Sequence, residues 1–295
     1  MSPPLTLGLT GWLVAKLRRA PLVFNIQDVF PDAAVSTGKL TNRRVIALAE
    51  WLERVSYSRS DAVVVLSDDL RANVAGKMPA RHAGKAVVIP NFVDSERIVP
   101  GSTDTAYRRE FAPDARHLVM YAGNVGFSQS LGLIVEAARR LPGVTFVVNG
   151  EGSSRDELRA QAAGLGNLVF VDYQPADRLA EVLASADVHV VPLRRGLGNV
   201  SVPSKAYSIM AAARPIVASI DADSEVARMI GAARCGAVVP PDDADAFVAA
   251  LRSLLDEPAV LADMGERGRR WVVEHASPAA VGEAYAALIE RLGTR

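Results

Sequence analysis

Residues 118–126 have the sequence LVMYAGNVG, a short apolar run that ends at two closely spaced glycines. Such a run before a glycine turn is typical of a buried strand, and the apolar spacing over 131–140 predicts a helix after it. This unit recurs through the second part of the chain. It places strands at 118–122, 145–148, 168–171, 188–192, 216–219 and 237–239, and helices at 131–140, 154–163, 177–186, 204–212 and 225–230. Alternating strands and helices predict a complete doubly wound α/β domain with a parallel sheet.

The first part of the chain shows the same alternation with fewer strands. Its strand candidates are 22–26, 62–66 and 86–89, with a helix at 43–60. Because doubly wound domains have about five strands or more, we expect this part to form an incomplete domain.

Irregular composition separates the two parts. Over 94–115 the periodicity stops and Pro, Ser, Thr, Asp and Gly accumulate, which predicts a linker. From 244 the sequence predicts three consecutive helices, the first capped by Asp243. The predicted organisation is a partial N-terminal domain (1–93), a linker (94–115), a second domain (116–275) and a C-terminal helix (276–295).

Composition excludes several classes of protein. Lys and Arg number 33 and Asp and Glu 33, and a net charge of zero argues against a nucleic-acid partner. The single cysteine, Cys235, rules out an internal disulfide framework and a thiolate metal cluster. The four histidines lack metal-ligand spacing. We therefore predict neither a metal nor a cofactor.

The N-terminal stretch carries a possible membrane signal. Residues 5–14 are apolar and precede Lys16, Arg18 and Arg19. A secretory signal has its positive charge before the apolar part, and this run is too short to span a bilayer. We therefore expect a cytoplasmic protein. The stretch predicts either a helix on an anionic membrane surface or a helix packed on the sheet with a solvated basic end.

In open α/β sheets ligands bind beyond the carboxyl ends of the strands. Gly123, Asn124 and Gly126 follow the first strand of the second domain, and Gly150 follows the next. Glycines allow close backbone approach, and a helix N-terminus offers free N–H groups to an anion. The alternative is a plain strand-to-helix turn.

The most unusual stretch is 194–205, RRGLGNVSVPSK, which runs into a predicted helix. Pro203 is favourable at a helix start, whereas Lys205 in the first turn opposes the positive end of the helix dipole. A bound anion such as a diphosphate, contacted also by Ser204, would remove this conflict. A solvated lysine is the alternative.

Two carboxylates follow other strands. Glu225 opens a helix after the fifth strand of the second domain, where it is either a cap or a ligand of sugar hydroxyls. Asp28 follows the first strand of the chain and is either a turn residue or an acceptor-binding or polarising carboxylate.

Several stretches together resemble a known family. They are 88–94 (VIPNFVD), similar to an interdomain V-I-P-N-G-V-D, 119–124 (VMYAGN), 148–152 (VNGEG) and 210–218 (MAAARPIVA), similar to M-A-x-G-x-P-V-V-A. This ordered set resembles the GT-B glycosyltransferases, specifically retaining family 4. Within it, 2–8, 27–32, 202–212 and 223–227 look like a bacterial branch that builds polysaccharide or O-antigen units and includes fucosamine-type transferases.

The resemblance implies two Rossmann-like domains, the first one incomplete, with the C-terminal helix returning to it. It implies transfer of a hexosyl or N-acetylhexosaminyl group from a nucleotide-sugar, most simply a UDP-sugar, with retention and without a metal. The acceptor would be a lipid-linked or polysaccharide precursor at the inner membrane face. Lys205 would then meet the leaving diphosphate, and the base would lie near Tyr173 and Gln174, after the third strand.

Departures from the family pattern leave two other functions open. The glutamate pair of the family would fall on Val200 and Ser208, a common histidine falls on Gln27, and members carry a longer segment before residues like 2–8. We therefore expect a truncated transferase. The alternatives are a non-catalytic or partner-dependent nucleotide-sugar-binding fragment, and a UDP-sugar epimerase.

Overall fold

A computed structural model describes residues 6–36, 38, 40–198 and 202–293 of the 295-residue chain. The beginning of the N-terminal motif at 2–8 and residues 199–201 of the stretch before Lys205 lie outside the described residues. The chain divides into two compact units. The first comprises described residues within 1–91, 196–202 and 279–295, and the second comprises 92–195 and 203–278.

The first unit contains a parallel three-stranded sheet of order β1-β2-β3. Its elements are α1 (Thr6–Arg18), β1 (Val23–Asn25), α2 (Asp32–Ser36), α3 (Arg43–Arg59), β2 (Ala62–Val65), α4 (Asp68–Gly76), a 3-10 helix (Ala80–Lys85), β3 (Ala86–Val88) and the last helix, α13 (Pro278–Gly293). Val281, Leu288 and Leu292 of α13 are buried in one apolar cluster with Ala62 and Val64 of β2. Helix α13 is thus part of the core of this unit.

The second unit contains a parallel six-stranded sheet of order β6-β5-β4-β7-β8-β9. Its elements are α5 (Ala106–Phe111), β4 (Leu118–Ala122), α6 (Gly132–Arg140), β5 (Thr145–Asn149), α7 (Arg155–Gln161), β6 (Leu168–Val171), a 3-10 turn (Ala176–Arg178), α8 (Leu179–Ala184), β7 (Val188–Pro192), α9 (Lys205–Ala211), β8 (Ile216–Ser219), α10 (Glu225–Ala233), β9 (Gly236–Val239), α11 (Ala244–Leu255) and α12 (Pro258–His275). The predicted parallel α/β architecture is confirmed.

Side chains alternate across the central strand of this sheet. Val119 and Tyr121 of β4 are buried in the larger apolar cluster with α6 and α11, whereas Leu118 and Met120 are buried on the opposite face. Full burial of such a side chain stabilises a fold by about 1.5–3 kcal/mol. Because both faces are covered, the edge at the carboxyl ends of the strands is the place where this sheet is open to ligands.

The structure differs from the predicted linker at 94–115. This segment contains α5, and its Tyr107 is fully buried in the cluster with Leu118 and Met120. The Tyr107 hydroxyl donates a 2.7 Å hydrogen bond to Asn149 of β5. The polar composition therefore masks several buried apolar side chains, among them Ile98, Tyr107 and Ala112, and the segment packs as part of the second unit.

Candidate functional site

The order of the six strands reverses between β4 and β7, and ligand-binding crevices of open α/β sheets form at such a reversal. Lys205, the first residue of α9 after β7, meets Tyr121 of β4 at this position. Its Nζ donates a 2.6 Å hydrogen bond to the Tyr121 hydroxyl and lies 4.0 Å from the centre of the phenol ring. An amine and a phenol are therefore fixed at the point where this fold binds ligands.

Gly123 makes room for the amine. Its φ of +144° lies in a region that other residues rarely adopt, and a Cβ there would lie 3.1 Å from both Cε and Nζ of Lys205. A side chain at this position would press directly on the ammonium group. The glycine predicted at the turn after β4 thus shapes the environment of Lys205.

Burial controls the charge of this site. It lowers the pKa of Lys205 from 10.5 to about 7 and raises the pKa of Tyr121, so the phenol is neutral. Among the described residues, no carboxylate forms an ion pair with Lys205. The Tyr121 hydroxyl in turn donates to the Asn124 carbonyl oxygen at 2.5 Å. A partly desolvated amine without a counter-charge is arranged to receive an anion.

The two glycine turns after β4 and β5 bind each other through their backbones. The Gly123 N–H donates to Asn149 O at 3.0 Å, and the Val125 N–H donates to Glu151 O at 2.7 Å. A Cβ on Gly150, whose φ is +152°, would lie 2.0 Å from the Gly123 carbonyl oxygen. The need for glycine at 150 is thus explained by contact between the turns.

Gly126, predicted to offer its N–H group to a diphosphate, has a partner within the protein. This N–H donates to the side-chain Oε1 of Gln129 at 3.1 Å. Gln129 also lines a pocket of about 440 Å³ together with Arg194, Asp242 and the first residues of α6. Neither Lys205 nor Tyr121 lines this pocket. An anion would have to displace Gln129 before it bound the Gly126 N–H.

Tyr173 and Gln174 follow β6, as the sequence predicts for the nucleotide-base region. The Tyr173 side chain is half exposed, and burial, with a smaller contribution from the Glu151 charge, raises the pKa of its hydroxyl. The Gln174 amide accepts from Arg178 at 2.9 Å and donates to the Asp172 carbonyl at 3.2 Å. Tyr173 therefore presents an exposed ring, while the Gln174 side chain is already bonded.

The remaining predicted residues of this unit lie at two helix starts. Glu225 begins α10 and forms a 2.9 Å ion pair with Arg228, while Ser224 caps the helix. Ser204 is exposed, and its side chain makes no capping hydrogen bond at the start of α9; Pro203 before it is partly buried. Glu225 thus lies in the first turn of α10, where a carboxylate is favourable, and Ser224 is the capping residue.

Asp28 lies in the first unit, just after β1, and is partly buried. Nearby, the Gln27 side chain donates to Asn25 at 2.8 Å, and Asn25 donates to the Tyr285 hydroxyl at 2.5 Å. Among the residues that the structure describes, no group of three or more His, Cys, Asp or Glu side chains is arranged to hold a metal ion.

Tyr121 and Gln129 lie beside predicted site residues, and their contacts are not indicated by the sequence pattern. Tyr121 sits within the apolar alternation of β4 and carries no signal except a hydroxyl that a buried position must satisfy. Gln129 follows a glycine turn, where polar residues are common. Only the fold shows that these side chains contact Lys205 and Gly126.

Comparison with known protein families gives two matches. Residues 116–257 match the family described as "Glycosyl transferases group 1", and residues 1–91 match "Glycosyl transferase 4-like domain". The putative colanic acid biosynthesis glycosyl transferase WcaI of Escherichia coli is 31% identical, over 82% of this chain and 62% of that protein. The probable glycosyltransferase WbjE of Pseudomonas aeruginosa is 29% identical, over 80% of this chain and 59% of that protein.

Solved structures share the fold. Sucrose-phosphate synthase from Thermosynechococcus elongatus superposes with a TM-score of 0.78 at 21% identity, over 97% of this chain and 72% of that chain. Anabaena HepE, solved in complex with UDP, gives a TM-score of 0.78 at 16% identity, over 98% and 77%. The chain spans about six tenths of the length of the two curated relatives. The matched domains and the shared fold confirm the resemblance, and the chain belongs to the GT-B glycosyltransferases of group 1.

Proposed function

We propose that this protein transfers a hexosyl or N-acetylhexosaminyl group from a UDP-sugar to a lipid-linked or polysaccharide precursor, with retention at the anomeric carbon. The observation that carries the proposal is the Lys205 amine, desolvated and without a carboxylate partner among the described residues at the strand-order reversal. The group 1 family match and the polysaccharide-related relatives support transferase chemistry. Retention rests on the family resemblance alone.

The donor chemistry follows from charge. When the bond between the anomeric carbon and the diphosphate breaks, the diphosphate takes the electron pair and its negative charge grows. A fixed cation stabilises that growing charge more than it stabilises the intact donor. Loss of one such contact costs about 3 kcal/mol of barrier, roughly a hundredfold in rate. We assign this role to Lys205, assisted by N–H groups near Ser204 and, after displacement of Gln129, by Gly126.

The other predicted residues take supporting roles in this proposal. The exposed ring of Tyr173 offers a stacking surface for the base, and Gln174 lies beside it. Glu225 would meet sugar hydroxyls with the carboxylate oxygen that Arg228 leaves open. Gly123 and Asn124 form the turn whose backbone would lie close to the diphosphate. The Asp28 carboxylate would bind or polarise the acceptor.

Transfer assays test the proposal. The chain is incubated with labelled UDP-hexoses or UDP-N-acetylhexosamines and a bacterial membrane-lipid extract, and sugar transferred to lipid is measured. We expect transfer by wild type and by the exposed-surface control Arg252→Ala, and a roughly hundredfold loss in Lys205→Ala. Wild-type turnover by Lys205→Ala would contradict the assignment. UDP binding without transfer would indicate a non-catalytic binding fragment, and epimerisation of UDP-N-acetylglucosamine without acceptor would indicate an epimerase.

The first unit also supports a contact with the inner face of the cell membrane. Helix α1 packs on α3, with the Arg59 guanidinium 4.5 Å from the centre of the Trp12 ring. Large apolar side chains on these two helices remain exposed, among them Leu17 (75%) and Leu48 (63%). Exposed basic residues occur at the end of α1 (Lys16, Arg18 and Arg19), where they flank Leu17 in the sequence, and at the start of α3 (Arg43 and Arg44). Exposed apolar groups on helices that also carry cations suit an anionic lipid surface.

Across the part of the chain that the structure describes, we find no helix with both the length and the apolar character needed to cross a bilayer. The contact that we propose is with the lipid surface. In co-sedimentation with vesicles of phosphatidylcholine and added phosphatidylglycerol, we expect the wild type in the vesicle pellet. The double variant Leu17→Glu/Leu48→Glu should stay in the supernatant. The control Ile289→Glu alters a similarly exposed side chain on α13 (62%) and should bind like wild type. Equal binding by all three proteins would contradict this surface.

A further inference from the structure

The first unit contains a charge cluster, built on the buried Glu53, that the donor chemistry does not use. Lys77, at the end of α4, places its Nζ 2.8 Å from Asp32 Oδ1 and 3.0 Å from the Glu53 carboxylate. The Tyr57 hydroxyl donates to Glu53 at 2.6 Å, and the Asn73 amide donates to Asp32 at 2.9 Å. The cluster therefore joins the start of α2 to α3 and α4.

Ion pairs that involve a buried charge stabilise a fold inefficiently, because desolvation of the charged groups offsets much of their attraction. Glu53 is completely buried, and its Oε2 lies 3.0 Å from the Lys77 ammonium without a well-aligned hydrogen bond to any described residue. Burial raises the pKa of Glu53, against the opposing effects of the Tyr57 hydrogen bond and the Lys77 charge. Apolar side chains of the same volume are often as stable as a buried ion pair or more stable. Stability alone thus does not explain why a carboxylate is buried at position 53.

The element fixed by the cluster is the segment that carries Asp28. Asp32 lies four residues after Asp28 and has both carboxylate oxygens bound by α4, one by Lys77 and one by Asn73. At the other end, Gln27 is held through Asn25 by Tyr285 of α13, as described above. The segment 27–32 follows the carboxyl end of β1, where parallel sheets bind ligands.

We propose that Lys77 is a positioning residue, which holds the segment 27–32, and with it Asp28, in place for the acceptor side of the reaction. This inference rests on the proposed transferase function. Lys77 does not itself contact substrate in this proposal. It acts because its ammonium is the only described cation that bridges Glu53 and Asp32.

Amide hydrogen exchange tests, without any substrate, whether Lys77 holds the segment 27–32 in place. In Lys77→Met the amides of 27–36 are expected to exchange about tenfold faster than in wild type. The double variant Lys77→Met/Glu53→Gln removes the uncompensated buried charge and should recover stability, yet it still lacks the Asp32 contact. Exchange over 27–36 should therefore remain fast in it. The control Lys85→Met removes a lysine of the same unit that binds carbonyls of Ser58 and Ser60.

A return to wild-type exchange in the double variant would overturn the proposal, because Lys77 would then only neutralise Glu53. Unchanged exchange in Lys77→Met would overturn it as well. In kinetics with a short-chain polyprenyl-diphosphate N-acetylglucosamine as acceptor, the double variant should show about a tenfold higher acceptor KM. Its UDP affinity should stay within about twofold of wild type. The acceptor KM of Lys77→Arg should lie between the values of wild type and the double variant.

A chain that transfers no sugar even as wild type would count against the proposed function. The exchange measurement would still decide whether Lys77 holds the segment. An acceptor KM unchanged in the double variant of an active enzyme would overturn the positioning role, even with faster exchange over 27–36.

Discussion

Replacement of Lys205 by methionine should stabilise the unliganded protein at neutral pH while it removes the proposed diphosphate contact. The ammonium is desolvated and has the neutral phenol of Tyr121 as its hydrogen-bond partner, with no carboxylate paired to it among the described residues. Methionine keeps most of the aliphatic stem and introduces no charge. The cost of the buried ammonium therefore disappears from the folded state.

The size of the effect follows from the pKa of Lys205. Burial lowers it from 10.5 to about 7, and each tenfold change in the protonation equilibrium corresponds to about 1.4 kcal/mol. The full shift corresponds to about 5 kcal/mol, and water near this partly exposed residue reduces it, so we expect roughly 2–4 kcal/mol. Between pH 7 and 10.5 the unfolded chain holds the proton that the folded chain releases, so wild-type stability rises with pH in this window. The advantage of methionine is complete below pH 7 and vanishes towards pH 10.5.

Urea unfolding at pH 6.5, 8 and 9.5 measures this difference. The free energy of unfolding of Lys205→Met should exceed that of wild type at pH 6.5, and the two values should converge as pH rises. Arg252→Met, which changes an exposed cation of the same unit, should parallel wild type at every pH. A less stable Lys205→Met at pH 6.5, or a difference that does not change with pH, would refute the reasoning.

Three further outcomes follow from the same contacts. Tyr121→Phe leaves the Lys205 amine without its phenol partner, and urea unfolding should show a loss of about 1–3 kcal/mol; an unchanged midpoint would contradict the hydrogen bond. Gly150→Ala places a Cβ against the Gly123 carbonyl and should lower the free energy of unfolding by roughly 3 kcal/mol or more, whereas Gly143→Ala, which meets open space, should stay within about 0.5 kcal/mol. Burial lowers the pKa of His189 from 6.5 to about 4, so the unfolded chain binds a proton first as pH falls below 6.5. Stability should drop by up to about 3 kcal/mol by pH 4, and His189→Leu should flatten this part of the profile in acid titrations followed by circular dichroism.

The sequence predicted the second unit well because its strands are apolar on both faces. Each of the six predicted strands lies within a residue or two of an observed one, and Asp243 caps α11 as its position before an apolar-periodic segment indicates. The sequence also singled out Lys205 as a candidate anion-binding residue, because a lysine in the first turn of a helix conflicts with the helix dipole.

Other features depend on distant contacts that local patterns do not carry. The segment around α5 is rich in polar residues, and the role of its fully buried Tyr107 depends on Asn149, which lies 42 residues further along the chain. Gly150 looks like a ligand-binding glycine in sequence, yet its need for glycine comes from the Gly123 backbone. Lys77 and Glu53 read as ordinary surface charges of two helices until the fold brings them together.

The most direct test of the donor site is calorimetric titration of the chain with UDP at pH 8, in two buffers of different ionisation enthalpy. Lys205 is mostly neutral at this pH, and a diphosphate beside it should raise its pKa and draw a proton onto the amine. We predict uptake of close to one proton per UDP bound by wild type, and no such uptake together with much weaker binding by Lys205→Met. UDP binding without proton uptake, or equally tight binding by Lys205→Met, would contradict the assignment of Lys205 to the diphosphate.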